Sequence, residues 1–511
     1  MTVDTHIKIA DALTRVKQIA DARGAHIIKS SEINRVDREL LIRTQWLQEI
    51  IKGWYLLTRP DVASGDSAAW YANFWDFLRV YLNDRFGKDY CLSAESSLEL
   101  HIGETVVPAQ VVVIVKQGGS TQQLPFKTSL LIYSDAKNLP TEKKEINGLQ
   151  VMSLPFALCK VTPTYYQKCS ENVEIALRSV RTSSELTNAI LRGEFKSAAE
   201  RIIGGYEFFG LKKEALEIRN DLMRAGMLIN ASNPFLQNKP HLSKKFQSPY
   251  AARIELLWKK YQETIIDIFP KETGLPKNAK NYLAEVNALY EYDAYNSLSI
   301  EGYQVSTDLI QRVQKNSWNP DLHEEDYNQR NALAARGYFE AFRSVKKSLT
   351  KILKGQSPGN CIQKDLSVWY QNLFAPCARA GIISHADLLG FRNDRVFIRN
   401  SQHVPPPKEA VLDSMDVFFQ CLATEKSACV RAILGHYIFV FIHPYMDGNG
   451  RIARFILNIM LASGGYPWSV VQVARRKEYI DALETVHTKS DIEPFVRFII
   501  DEMKISKKLL K

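Results

Sequence analysis

The chain lacks any hydrophobic run long enough for a membrane helix. Its longest apolar stretches, around 109–115 (AQVVVIV) and 437–442 (YIFVFI), fall far short of the roughly 18 residues a span needs. The opening residues, MTVDTHIKIADALTRVKQ, carry charges throughout and no apolar core of a signal peptide. A cytoplasmic protein with access to ATP, and without a membrane partner, is therefore expected. Cysteine is sparse: the seven residues 91, 159, 169, 361, 377, 421 and 429 are scattered and never spaced C-x-x-C. That excludes a readable disulfide framework or zinc knuckle and points to reduced thiols. Internal repeats, low-complexity tracts and the Walker pattern G-x-x-x-x-G-K-[ST] are also missing.

What remains is the composition of a folded protein, with 45% hydrophobic and 24% charged residues. Its 511 residues suggest two to four domains. The net charge of +10 suits polyanionic partners, nucleotides or nucleic acid, but spread over 66 basic and 56 acidic side chains it equally describes an ordinary basic surface.

Residues 5–23 place Ile7, Ile9, Ala10, Leu13, Val16 and Ile19 at helical spacing, closed by Gly24. Serines at 30 and 31 offer caps. Residues 37–51 read as a further helix carrying Leu40, Leu41, Trp46, Leu47 and Ile50, and 54–57 (WYLL), running into Thr58, Arg59 and Pro60, read as a short strand. Three helices and a strand at this size describe a winged helix-turn-helix over 1–62, with Arg35, Arg38 and Arg43 near the recognition helix. Residues 1–60 hold ten basic and seven acidic side chains, so duplex DNA and another protein both remain candidate partners. Between 63 and 165 an aromatic-rich helix (67–87) precedes β-branched runs near 106–116, 125–134 and 149–161, the texture of a small α/β unit. The pattern is helical over 166–235, and the Pro- and Asn-bearing stretch 230–245 is the best boundary. Beyond it, 240–511 is overwhelmingly helical.

The chemistry lies in 443–454: His-Pro-Tyr-Met-Asp-Gly-Asn-Gly-Arg-Ile-Ala-Arg. A helical run ends at His443-Pro444, a glycine-rich turn follows, and a second apolar helix starts inside the motif. Gly448, Asn449 and Gly450 thus sit at a helix N-terminus, where backbone N–H groups and the dipole favour an anion. Arg451 and Arg454, three apart, share a helix face beside it. Asp447 supplies a hard oxygen for Mg²⁺ (or Mn²⁺), and His443 a base that is mostly neutral near pH 7. GNGRIA also fits the dinucleotide pattern G-x-G-x-x-A. However, Pro444 and Asp447 intervene after the apolar run, and no acidic residue near 470 is placed to take a ribose.

These twelve residues resemble the Fic signature H-x-F-x-[DE]-G-N-G-R-x-x-R, departing only at Tyr445, a buried position where a phenol would need a partner. The resemblance implies an all-α Fic domain with a β-hairpin flap, and transfer of AMP from ATP to a protein Ser, Thr or Tyr hydroxyl. By the same resemblance His443 is the base and Asp447 the metal ligand. Asn449, with the Gly448 and Gly450 backbone, holds the α-phosphate, Arg451 the β-phosphate and Arg454 the γ-phosphate. Arg395, Val396, Phe397 and Ile398 alternate as a strand and are similar to the target-docking flap. His436 also suits the family pattern. Ser297, Glu301 and Gly302 resemble the inhibitory motif [ST]-x-x-x-E-[GN], on a helix near 290–302. A carboxylate delivered to Arg454 would displace the γ-phosphate, and the same group could orient a water that removes AMP. Residues 1–165 resemble abortive-infection antitoxins of the AbiEi type, which bind DNA. A DNA-binding regulator whose Fic part only modifies itself or senses nucleotide is therefore the alternative. Transfer of phosphate or phosphocholine is a third reading. A homodimer is the self-association the family implies.

Overall fold

A computed structural model describes residues 3–58, 60, 67–235, 241–244, 246, 248–315 and 329–510. Arg59 and part of the proposed boundary stretch 230–245 lie outside them. Two compact units emerge, Met1–Pro249 with Phe397–Val404, and Tyr250–Val396 with Pro405–Lys511. Among the described residues no helix is long and apolar enough to cross a membrane, and all seven cysteines are free thiols.

The first unit opens with α1 (Val3–Arg23), β1 (Ile27–Lys29), a 3₁₀ turn at Ser30–Glu32, α2 (Arg35–Arg43), β2 (Leu47–Ile51) and β3 (Trp54–Leu57). The three strands pair antiparallel in the order β1-β3-β2. The helix expected over 37–51 is therefore two elements. Asn34 caps α2 by accepting from the Asp37 N–H at 2.9 Å, and Gln45 ends it in the left-handed region, φ 62°. Leu47 and Ile50, three apart, suggested a helix. They are both buried from a strand because a bulge between Glu49 and Ile51 breaks the twofold alternation. Among the described residues of 1–62 two helices form, with a 3₁₀ turn between them, rather than three, while β3 lies where WYLL was read as a strand.

Next come α3 (Ala68–Phe86), β4 (Tyr90–Leu92), α4 (Ala94–His101), β5 (Gln110–Val115), β6 (Ser120–Gln123) and β7 (Ser129–Ser134). These four strands form one sheet ordered β4-β5-β7-β6, parallel only between β5 and β7. The aromatic face of α3 packs on this sheet, with Trp70, Phe74, Phe77 and Tyr81 in one core with Val111, Val113 and Leu130. A hairpin of β8 (Lys144–Ile146) and β9 (Leu149–Val151) follows. The run 149–161, expected as strand, turns helical at Pro155, because Ser153 and a proline in the first turn start α5 (Leu154–Lys160). Helices α6 (Pro163–Lys168), α7 (Ser170–Ser179), α8 (Ser183–Arg192), α9 (Lys196–Phe208) and α10 (Lys212–Arg224) complete this part.

The second unit is helical: α11 (Pro249–Ile268), α12 (Ala279–Ile300), α13 (Thr307–Gln314), α14 (Gln329–Leu353), α15 (Pro358–Arg379), α16 (Val411–Thr424), α17 (Ala428–Ile442), α18 (Asn449–Ser463), α19 (Arg476–Lys489) and α20 (Glu493–Lys508). Every residue of α17 is buried, and so is nearly all of α18. A helix apolar all round belongs at the centre of a bundle, so the loop joining these two is held between the best-packed elements. The strand and hairpin expected at 395–399 do not form; 395–398 has no regular structure and a turn follows at 399–400, with an isolated bridge further on between Val106 and His403. The bridge is flanked by Val107 N–H to Gln402 O (3.1 Å) and Val404 N–H to Thr105 O (2.8 Å), which is why Phe397–Val404 groups with the first unit.

The α14–α15 pair that walls the bundle turns on Trp369, fully buried, whose indole N–H donates to Ser348 Oγ at 3.1 Å. Trp369→Ala is expected to cost about 3–5 kcal/mol, read as a lower urea midpoint for the second unit.

Candidate functional site

The loop 443–448 joins α17 to α18 and is built from main-chain locks. His443 ends α17 in the left-handed region (φ 51°, ψ 59°), and Gly448 starts α18 there (φ 79°). Asn449, 2% exposed, closes the loop on itself: its Oδ1 accepts from the Tyr445 N–H at 3.0 Å and its Nδ2 donates to Tyr445 O at 2.8 Å. The Tyr445 ring lies flat on Tyr370, with centroids 3.7 Å apart and planes 6° apart. The residue that departs from the Fic signature is thus seated by stacking.

His443 Nδ1 lies 3.1 Å from Val440 O. With the proton on Nδ1 donated to that carbonyl, Nε2 keeps a lone pair, the arrangement of a base. Burial lowers its pKa to about 4, against the opposing pull of the Val440 carbonyl. The ring is neutral, and so competent as a base, at any pH well above that value. His436 is a core residue: its Nε2 is 2.7 Å from the Tyr479 hydroxyl and its ring stacks on Phe495.

Asp447 leaves its side chain 62% exposed while Oδ1 accepts from the Gly448 N–H at 2.6 Å. An accessible carboxylate beside a phosphate site fits Mg²⁺, which is commonly bound through one or two carboxylates plus substrate phosphates. Arg451 and Arg454 are 1% and 3% exposed. The Arg451 guanidinium lies between the rings of Tyr303 (5.2 Å) and Phe374 (5.1 Å), with Nη2 3.3 Å from Asp447 Oδ2. Its Nε, fully buried, has no hydrogen-bond partner among the described residues. A buried donor ordinarily has a protein or water partner, and this one lies beside the N-terminus of α18.

Arg454 is held from the end of α12. Its Nε donates to Ser297 Oγ (2.9 Å), and Nη2 donates both to Ser297 O (3.0 Å) and to Glu301 Oε1 (2.7 Å). A Cβ on Gly450 would strike Glu301 Oε1, so the carboxylate stands at the N-terminus of α18, where an anion is favoured. Burial raises the Glu301 pKa, but the Arg454 and Arg451 charges outweigh it and hold the carboxyl below its usual range. The pair therefore stands through neutral pH and is lost only as pH falls through that lowered value.

Why the carboxylate points there follows from the end of α12. Glu301 is its C-cap, and Gly302 (φ 87°) adopts the left-handed conformation that closes the helix. The Tyr303 N–H reaches Leu298 O (3.1 Å) and the Gly302 N–H reaches Ser299 O (3.0 Å), the paired bonds of a Schellman cap. The helix is then fastened on its other side. Tyr292 OH donates to Gln472 Oε1 (3.1 Å), the Val473 N–H to Asn296 Oδ1 (2.8 Å) and Arg476 Nε to Ile300 O (2.8 Å).

The structure thus brings together His443, Asp447, Gly448, Asn449, Gly450, Arg451 and Arg454 with Ser297, Glu301 and Gly302. Of the four residues assigned to a flap, Arg395 and Val396 fall in the second unit and Phe397 and Ile398 in the first. Sequence reasoning missed Tyr303, Tyr370, Arg392 and Arg476. Tyr303 was signalled only by following the Glu-Gly pair, and the others by nothing local.

The Fic/DOC family model matches residues 365–461, so this part of the chain is a Fic/DOC domain, and the match includes the whole 443–454 loop but not Glu301. The chain is related to protein adenylyltransferase Fic. It is 33% identical over 145 residues to that protein of Nematostella vectensis, covering 27% of this chain and 33% of the relative. It is 36% identical over 127 residues to that of Culex quinquefasciatus, covering 24% and 25%. The match therefore spans a quarter to a third of the length of these relatives. Among solved structures, a fragment of Fic-1 from C. elegans aligns at 18% identity and a TM-score of 0.38, over 66% of this chain and 87% of that one. A likeness that loose carries no argument here.

Gly302→Ala would force an L side chain into the left-handed region, at a cost of about 1–3 kcal/mol. The expected result is a frayed cap, seen as faster hydrogen exchange of the Tyr303 amide while exchange in α18 is unchanged.

Proposed function

We propose that this protein transfers AMP from ATP to a Ser, Thr or Tyr hydroxyl of a target protein, itself included, and that Glu301 restrains it. One observation carries the reading. A carboxylate of the same chain sits 2.7 Å from Arg454 at a helix N-terminus, occupying the position that suits a phosphate oxygen. Removing it leaves a buried guanidinium with no counter-charge, the condition under which an anion is bound most strongly.

In the reaction the target oxygen bonds to the α-phosphorus while the bond from that phosphorus to the bridging oxygen breaks. Pyrophosphate leaves with that electron pair, and the hydroxyl proton passes to His443 Nε2. The N–H groups of Asn449 and Gly450, in the first turn of α18, are the main-chain donors for the phosphates, the Gly448 N–H being taken by Asp447 Oδ1, with Arg451 and Arg454 as the two cations for the outer ones. The Asn449 side chain, committed to Tyr445, keeps the loop in shape. Asp447 would hold Mg²⁺, which supplies positive charge against the phosphates. Relatedness to protein adenylyltransferase Fic supports the class of reaction, and the self-contained Ser297–Glu301–Arg454 contact supports the restraint.

The test is incorporation of α-labelled against γ-labelled ATP by wild type, Glu301→Gly and Glu301→Gly/His443→Ala, with Mg²⁺ and lysate. Only the α-label should appear, rising with Glu301→Gly and falling about 10²–10⁴-fold when His443 is also replaced. The Glu301→Gly rate should climb with pH near 4 and stay level through 6.5, where an unperturbed histidine would titrate. Incorporation of γ-label without α-label would identify phosphate transfer and sink this reading.

A second reading concerns the first unit. Strands β1–β3 with α1 and α2 have the size of a small winged-helix module, and α2 carries Arg35, Arg38 and Arg43 along one short helix. Arg35 is held by Glu39 through Nε at 2.6 Å on the exposed side. We propose that α2 meets duplex DNA. Binding of a mixed duplex should then weaken about a hundredfold or more between 50 and 200 mM salt and be lost in Arg38→Glu/Arg43→Glu. No binding at 50 mM salt would exclude it.

A further inference from the structure

Arg392 lies outside the signature, yet it holds the motif loop's main chain from a segment remote in sequence. Its own N–H donates to Pro444 O at 2.8 Å, and its Nε donates to His443 O at 2.8 Å. Two consecutive carbonyls of the base's own backbone thus end on one residue. The remaining guanidinium nitrogens turn the other way: Nη1 donates to Asp394 O at 3.0 Å and Nη2 to Pro406 O. Residues 394 and 406 are the two ends of the loop that carries the segment assigned to target docking. The side chain is 6% exposed, and all four acceptors are main-chain oxygens, so the contacts survive any change of neighbouring side chains.

The need for such a clamp follows from the backbone of His443. A non-glycine residue held in the left-handed region costs about 1–3 kcal/mol and persists only where its surroundings over-determine it. Beyond it stands Pro444, which has no N–H to donate, so the loop cannot secure itself by an ordinary turn bond at that point. Bonds accepted by His443 O and Pro444 O supply the missing restraint and fix the direction in which the ring leaves the chain.

We propose that Arg392 is the positioning residue of this enzyme, tying the backbone of the base His443 and both ends of loop 394–406 into one frame. It thereby fixes the orientation of the base relative to Asp394 and Pro406 within the second unit. This rests on the transferase reading above. Arg392 touches neither nucleotide nor target; its effect runs through His443. Lysine cannot replace it, because one ammonium cannot span acceptors that a planar fork reaches in separate directions.

The experiment uses the full chain carrying Glu301→Gly as parent, then adds Arg392→Ala or Arg392→Lys. Three quantities are measured: the affinity for ATP with Mg²⁺ by calorimetry, kcat for α-label transfer, and hydrogen exchange of the His443 and Tyr445 amides. Both variants should lose about a hundredfold in kcat, the scale of a 1 Å misplacement, while the ATP Kd stays within about twofold of the parent, because the phosphate nest on α18 is untouched. Amide exchange at His443 and Tyr445 should rise about tenfold, and added guanidinium ion should restore part of kcat in the alanine variant alone. Parent-like kcat or unchanged amide protection would overturn the proposal, as would a loss of ATP affinity in step with activity. If the parent itself transfers no label, the transferase reading fails, and the exchange measurement still decides whether Arg392 holds the loop. Should the alanine variant not fold, the lysine variant carries the same tests.

Discussion

Two guanidinium groups buried three residues apart on α18 set the terms for the second unit. A buried cation without partners is expensive, and each solves the problem differently. Arg454 draws on a carboxylate, a hydroxyl and a carbonyl, all from the last turns of α12. Arg451 has one long contact to Asp447, the faces of two aromatic rings, and a nitrogen left over. The chain thus gives one arginine three hydrogen bonds from one helix and leaves the other with a single long one, beside a helix N-terminus that itself favours negative charge. The arrangement suits a protein that holds an anion site ready and fills part of it with its own glutamate.

The site divides into a stiff half and a replaceable half. On the stiff side, Asn449 closes the 443–448 loop, Tyr445 stacks on Tyr370, and Arg392 gathers the carbonyls of His443 and Pro444. These are main-chain and core contacts between elements with almost no exposed surface, so the loop geometry is paid for by the packing of α17 and α18. On the replaceable side, Glu301 is the last residue of its helix, its side chain is 29% exposed, and a glycine cap follows directly. Helix ends fray more readily than buried helix centres. A restraint at such an end can be withdrawn without disturbing the base, which makes the position of Glu301 as informative as its charge.

Much of this was legible because the information is local. The spacing of His443, Asp447, Asn449, Arg451 and Arg454 on a turn and the first turns of a helix determines by itself which side chains can face one anion. The Ser297–Glu301 spacing likewise puts both on one helix face, and Gly302 marks the end of that helix. Where local signals misled, a nearby irregularity explains it. The bulge in β2 gave Leu47 and Ile50 the spacing of a helix, and alternation in 395–399 suggested a strand that does not form.

By itself, then, the sequence determined which residues form the proposed anion site, its proposed base, and the helix end proposed to oppose it, since each depends on residues within a few positions of one another. Only the tertiary structure decided that Glu301 reaches Arg454 across 153 residues, that Arg476 fastens the same helix end, and that Arg392 grips the backbone of His443. It also decided that Phe397–Val404 groups with the first unit. Those are contacts between segments remote in the chain, formed by main-chain oxygens and side chains with no periodic pattern to announce them. They exist because buried polar groups must find partners wherever packing brings them.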